Sequence, residues 1–503
     1  MTSSRSDLHY LTISQAGELI QNQELSPVEL TQAFLDRIQQ TDDQLHSFIT
    51  VLSEQALADA RLAESEILQG HYKGPLHGIP FALKDLYDTA GIKTTSGSRV
   101  DINRIPTEDS TCTARLKRSG GILLGKLAMH EFALGGPDFT TPFLPVRNPW
   151  NLDHVTGGSS SGSGAAVASG QCMGALGSCT GGSIRGPASL CGIVGIKATY
   201  GRVSRAGVVT LSWSQDHCGP MTWTVRDAAH MLRSIAGYDH KDPTTSAAPV
   251  PDYTQWLGKE LKGTTVGVPR HFFFNPEQGV NPETLSAVEK GLTTLEKLGA
   301  NLEEVTIPSL NYVRAANSVI MLSEAFAFHE KNLKSRAHEY GEMVRARFRI
   351  GGLFTASDYV QAQRVRKLFN RELSETLQKV DVLVTPTMTQ PAAAFEGFDT
   401  TSTVRGASFT APFNLSGLPA ISVPCGFTAD GLPIGMQIAG KPFDEPGIFK
   451  VAYAYEQESR LYEKRPPFME PKPSWPIGVT QWNETLLDTD RTYPRYSGPE
   501  MPK

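Results

Sequence analysis

Residues 157–164 read GGSSSGSG, and residues 180–186 read TGGSIRG. One Gly/Ser run alone is ordinarily a flexible linker. Two of them, joined by a stretch of small residues, constrain the chain far more. The first run leads straight into AAVASG, so it opens a helix, and a glycine loop there presents backbone N–H groups to an anion. A nucleotide-binding P-loop would close on Gly-Lys-[Ser/Thr]. This loop closes on Gly-Ser-Gly-Ala, which excludes that reading. In the second run, Thr180-Gly181-Gly182 removes side-chain bulk before Ser183. Backbone N–H groups can then converge near the Ser183 oxygen, the geometry of an oxyanion hole.

A serine nucleophile needs a base. No Gly-x-Ser-x-Gly signature surrounds Ser183. His130, His154 and His217 fall in the region, and each reads as a structural histidine rather than a base. A lysine can serve when burial lowers its pKa. Lys84 closes the apolar run IPFAL within GIPFALKDLYDTAG; the plain alternative is an exposed lysine at a strand end. To act near neutrality its pKa must fall from about 10.4 to ~7–8. That requires hydroxyl neighbours, with Asp85 and Asp88 turned away.

Helical and strand patterns alternate along the chain. Ser26-Pro27-Val28-Glu29 forms a capping box ahead of Leu30, Phe34 and Ile38 at helical spacing. Helical stretches follow at 53–69, stopping at Gly70, and at 111–119. IPFAL and GILLG (121–125) read as strands. VGV (266–268), a helix at 282–298 and LEEVTIP form a β-α-β unit that favours parallel pairing. VDVLVTP (380–386), AISVPCGF (420–427) and PIGMQIAG (433–440) are late strands; Asp430-Gly431 between the last two signals a hairpin. These patterns predict an α/β chain with a mixed sheet covered by helices. Residues 310–375 read as a charged helical addition. Residues 471–503, rich in proline but carrying Trp475, Trp482, Tyr493 and Tyr496, read as an extended arm.

Composition limits the function classes. The 503 residues carry a formal net charge of −5, so no basic face is imposed and nucleic acid is not an expected partner. No window approaches ~20 uninterrupted apolar residues, and MTSSRSDLHYLTISQAGELI is not a secretory signal. The six cysteines form no Cys-x-x-Cys pair, which predicts free thiols in a reducing cytoplasm. With no His-Glu-x-x-His and no Cys/His cluster at ligand spacing, neither a metal nor a cofactor is expected.

GIPFALKD, GGSSSGSGAAVASG and TGGSIRGPASLCGIVGIKATYGRVSRAG together resemble the amidase signature family. The likeness runs from about residue 10 to 468 and includes QDHCGPMTWTVRDAA and NLSGLPAISVPCGF. It implies a single α/β/α domain over 1–470, with a large twisted mixed sheet. The signature core falls at about 75–230 and a helical specificity segment at about 305–375. It also implies a Ser-cis-Ser-Lys triad. Carried over by motif, Ser183 is the nucleophile, Ser159 the relay and Lys84 the base, with Thr180, Gly181, Gly182 and Ser183 forming the oxyanion hole. The expected activity is hydrolysis of the carbon–nitrogen bond of a small amide, with no partner beyond a second copy in a homodimer, no nucleic acid and no membrane. Arg347 and Arg405 are candidates to bind a substrate carboxylate.

Two departures stand out. The family usually reads Asp-Thr-Gly-Gly-Ser-Ile-Arg, and Cys179 replaces that Asp, a carboxylate giving way to a weakly bonding thiol. Lys197-Ala198-Thr199 stands where Lys-Pro-Thr is common. The rival reading is the A subunit of a tRNA-dependent amidotransferase, which hands glutamine-derived ammonia to a partner. Such subunits hold the glutamine amino group with an Asp upstream of NLSG. Counted back from Asn414, that position is Ala407, which favours a standalone hydrolase.

Overall fold

The computed structural model describes residues 5–398 and 408–467. The proposed arm at 471–503 lies outside them, as do Arg405 and Ala407. All described residues fall within one compact unit, Met1–Phe468.

Thirteen strands are present among the described residues. They are β1 (Phe48–Val51), β2 (Pro80–Lys84), β3 (Ile122–Leu127), β4 (Arg147–Asn148), β5 (Asn151–Val155), β6 (Gly174–Cys179) and β7 (Val194–Lys197). The rest are β8 (His217–Thr222), β9 (Thr265–Val268), β10 (Asn301–Glu304), β11 (Val382–Pro386), β12 (Ala420–Phe427) and β13 (Pro433–Gly440). Eleven form one sheet in the order β1-β3-β2-β6-β8-β7-β12-β13-β11-β9-β10, and β4 pairs with β5 apart from it. Pairing is parallel for β2 with β3 and β6, and for β9 with β10 and β11. It is antiparallel from β6 through β8, β7, β12 and β13 to β11. The sheet is mixed and helix-covered, as expected. Helix Val225–Ile235 lies on β8, Pro282–Lys297 on β12 and β13, and Arg185–Cys191 on β7, β12 and β13.

Local chemistry explains most boundaries. Ser26 Oγ accepts from the amides of Val28 (3.0 Å) and Glu29 (3.3 Å), capping helix Pro27–Leu45. No return bond from the Ser26 amide to the Glu29 side chain completes the expected capping box, and the Ser26 hydroxyl donates to Glu64 Oε1. Gly431, at φ +83°, turns the β12–β13 hairpin. The helical addition resolves into Leu310–Ser335, Glu342–Gly351 and Ala356–Leu377.

The sheet brings the site together through register. Parallel pairing sets Leu83 of β2 against Leu176 of β6, so Lys84 leaves its strand beside Ser178, just before the 180–186 loop. Ligand sites in α/β sheets form at such carboxyl ends. The centre is packed at backbone distance: a Cβ on Gly219 of β8 would stand 2.2 Å from the Ile196 carbonyl oxygen of β7. Neither strand can yield without breaking the sheet. Gly219→Ala is therefore expected to cost about 2 kcal/mol or more through overpacking, seen as a lowered midpoint in urea unfolding with the slope unchanged.

Candidate active site

Lys84 is completely buried. Its Nζ donates to Ser159 Oγ at 2.7 Å and to Ser178 Oγ at 2.8 Å. The peptide joining Gly158 to Ser159 is cis. Burial lowers the Lys84 pKa to about 7, opposed by the more distant Cys179, Asp216 and Cys218. The two neighbouring aspartates turn away, as the requirement for a neutral amine demands. Asp85 faces the buried Lys126 Nζ at 3.1 Å and accepts from the Thr95 amide and hydroxyl. Asp88 takes a two-pronged pair from Arg104 at 2.7 and 2.8 Å.

Ser183 sits half-buried at the end of the second loop. Three carbonyls of this loop are hydrogen-bonded, two of them to other segments. The Thr180 carbonyl accepts from Asn317 Nδ2 (3.5 Å), that of Gly181 from Thr410 Oγ1 (2.7 Å) and that of Gly182 from the Gly186 amide (2.8 Å). In a trans peptide the N–H points opposite to its C=O, so the amides of Gly181, Gly182 and Ser183 turn the other way. Gly182 adopts φ +152°, and a Cβ there would lie 2.1 Å from Thr410 Oγ1. The Thr180 hydroxyl donates to Asp216 Oδ1 (2.7 Å), whose other oxygen accepts the amides of Leu211 and Ser212. Glu324 fixes the same segment by accepting from Ser212 and Ser214.

Of the histidines, His154 lies on β5. His217 is buried with Nδ1 2.6 Å from the Gln215 carbonyl, and burial beside Lys197 keeps it neutral. His130 comes to the site: its amide donates to the Ser159 carbonyl (3.0 Å), and its ring fills the space over Gly158. Burial, with Lys84 next, lowers its pKa to about 3, so it is neutral in the working range. Arg347 is half-buried and bears electrostatically on His130. Ser178, Asp216, Asn317 and Thr410 were not legible in the sequence. The strand that carries Ser178, GALGSC, is short and fully buried, so no alternation marks it.

The amidase family model matches residues 29–449. The chain belongs to the amidase signature family. The A subunit of glutamyl-tRNA(Gln) amidotransferase from Moorella thermoacetica is 40% identical over 487 residues, covering 92% of this chain and 99% of that one. The crystal structure of the corresponding Thermotoga maritima protein is 37% identical with a TM-score of 0.77, covering 90% and 95% of the two chains. A structure from a vestigial protein complex tied to the origins of an s-triazine catabolic enzyme is 32% identical with a TM-score of 0.84, covering 89% and 98%. These relatives correct the expectation of a small-molecule amide alone, with no nucleic acid and no partner beyond a second copy: two of them belong, by name, to an enzyme of glutamyl-tRNA(Gln). Net charge could not detect this. It reports only whether this chain itself carries a basic face, and a nucleic-acid substrate can be held by another protein of a complex.

Among the described residues no helix is long and apolar enough to cross a membrane, and no group of three metal-binding side chains converges. The six cysteines are unpaired and buried.

The buried amine gives a stability prediction with a defined sign. A lysine whose folded pKa lies near 7 sheds its proton on folding above that pH, and below it stays charged and poorly solvated. Wild-type stability therefore rises with pH between the folded and unfolded pKa values. Lys84→Met lacks this contribution. Its stability relative to wild type should improve by about 2–3 kcal/mol on going from pH 9 to pH 7, measured by urea unfolding at both.

Proposed function

We propose that the chain is the amide-hydrolysing component of an amidotransferase-like assembly, working through an acyl-enzyme on Ser183. The observation supporting the chemistry is the fully buried Lys84 amine between two hydroxyls. The observation supporting the assembly is the likeness to the amidotransferase A subunits across nearly the whole of both chains. In this reading neutral Lys84 takes the Ser159 proton while Ser159 takes that of Ser183. Ser183 Oγ attacks the amide carbon. The amides of Thr180, Gly181, Gly182 and Ser183 receive the developing oxyanion. The proton returns through Ser159 to the leaving nitrogen, the C–N bond breaks, and water then hydrolyses the ester. With glutamine as donor, the nitrogen leaves as ammonia for a partner to use. A reducing, cytoplasmic setting suits six unpaired thiols.

A second reading, a free-standing amidase, rests on Ala407. That position has no carboxylate to meet the ammonium of a free amino acid. Arg347, beside His130, would then serve a different acyl group. Assaying the full chain on glutamine and on simple aryl and aliphatic amides, alone and with amidotransferase partner proteins, separates the two. Glutamine hydrolysis that needs the partners supports the assembly reading. Turnover of other amides alone, with no effect of partners, supports the free-standing enzyme.

Three predictions test the chemistry shared by both readings. A serine-reactive probe should label Ser183, and labelling that persists in Ser183→Ala would contradict the acyl-enzyme. The amide rate should rise with pH along one limb centred near 7, because only the neutral amine can accept a proton. Lys84→Arg should be as inactive as Lys84→Ala, since guanidinium keeps its proton; measurable turnover by Lys84→Arg would leave Lys84 with a positioning role only.

A further inference from the structure

Behind the Ser183 loop lie two fully buried basic side chains, Arg185 and Lys197, and neither has a carboxylate partner; burial and the neighbouring Arg185 push the Lys197 pKa well below its ordinary value, which leaves Arg185 as the cation to be balanced. The Arg185 guanidinium donates to three neutral acceptors: Gln437 Oε1 (2.9 Å), the Thr410 carbonyl (3.0 Å) and Asn414 Oδ1 (2.5 Å). Its Nε has no partner. Lys197 Nζ donates to the carbonyls of Ala198 and Leu418. The nearby acids are engaged elsewhere. Glu445 accepts from the Thr199 amide and faces Arg202, and Asp216 holds Thr180, Leu211 and Ser212. His217 is neutral. A buried guanidinium without a counter-charge is costly.

The remaining acid in this cluster is Cys179, where the family pattern has Asp. Its Sγ lies 3.8 Å from Arg185 Nη2 and also accepts from the amide of Ile184, the residue after Ser183. As a thiol it would donate to Asn414 Oδ1 at 3.3 Å, an oxygen that Arg185 already occupies. We propose that Cys179 is a positioning residue whose sulfur, as a thiolate, is the counter-charge of Arg185 and fixes the turn carrying Ser183. Burial pushes its pKa up, but the Arg185 charge and the Ile184 amide outweigh that and hold it below the ordinary thiol value. Because Cys179 also acts on Lys84 through space, its charge holds the Lys84 pKa up.

This inference rests on the proposed Lys84 and Ser183 roles only for its kinetic consequence; the ionisation itself can be read without activity. The direct test is the absorbance of the full chain at 240 nm between pH 5 and 10, taken as wild type minus Cys179→Ser and as wild type minus Cys179→Asp. A thiolate step centred below about 8.5 in both differences supports the proposal. A step absent until above pH 9 overturns it, whatever the enzyme's activity. In kinetics, Cys179→Asp should keep kcat within about threefold. Cys179→Ser should lose about tenfold in kcat with KM little changed, and its rate–pH limb should move to lower pH. A Cys179→Ser protein as active as Cys179→Asp, with an unmoved limb, would also overturn the proposal. Loss of probe labelling at Ser183 with the thiolate step intact would instead fault the catalytic reading.

Discussion

The site depends on one contact: an amine with no exposure to solvent, held 2.7 and 2.8 Å from two serine hydroxyls. Hydroxyls can donate to a neutral amine or accept from a charged one, so they tolerate both states without favouring charge as a carboxylate would. Burial then decides, and it favours the neutral form. A lysine placed this way is a base near neutral pH. The same lysine with a free carboxylate at hydrogen-bonding distance would be a fixed cation.

Much of the surrounding structure keeps carboxylates from reaching it. Asp85, the next residue, is drawn off by Lys126 and Thr95, and Asp88 by Arg104. Asp216 is occupied by Thr180 and two backbone amides, so it braces the loop that carries Ser183 instead of meeting Lys84. The strand register completes the arrangement. Lys84 and Ser178 arrive on adjacent parallel strands, and the cis-serine loop enters from the helix start at Ser161–Ala168. Membership of the family and the capacity to hydrolyse a carbon–nitrogen bond follow from this core.

The sequence made the core legible because its constraints are local. A glycine pair before a serine, a helix opening on a Gly/Ser loop and a lysine closing an apolar strand can each be seen within a dozen residues. The late hairpin and the β9–helix–β10 unit were legible for the same reason: turn residues and periodicity announce them. Strands β6, β7 and β8 were not, since GALGSC, VGIK and HCGPMT are short and buried on both sides. Without alternation they carry little strand signal. Asn317, Thr410, Asn414 and Asp216 reach the loop from distant segments, and only tertiary structure brings them there. The expectation of no nucleic-acid partner rested on net charge, which reports only on this chain's own surface.

The central claim is that Lys84 is an unprotonated amine when the enzyme works. Its direct measurement is an NMR titration of isotopically labelled lysine side chains in the full-length protein, with the Lys84 signal assigned by its loss in Lys84→Arg. Lys126 and Lys197 are also buried, so assignment by variant is essential. The account predicts that the Lys84 signal titrates with a midpoint near 7. A Lys84 signal that stays protonated beyond pH 9 would contradict it, and the proton would have to leave Ser183 by another route.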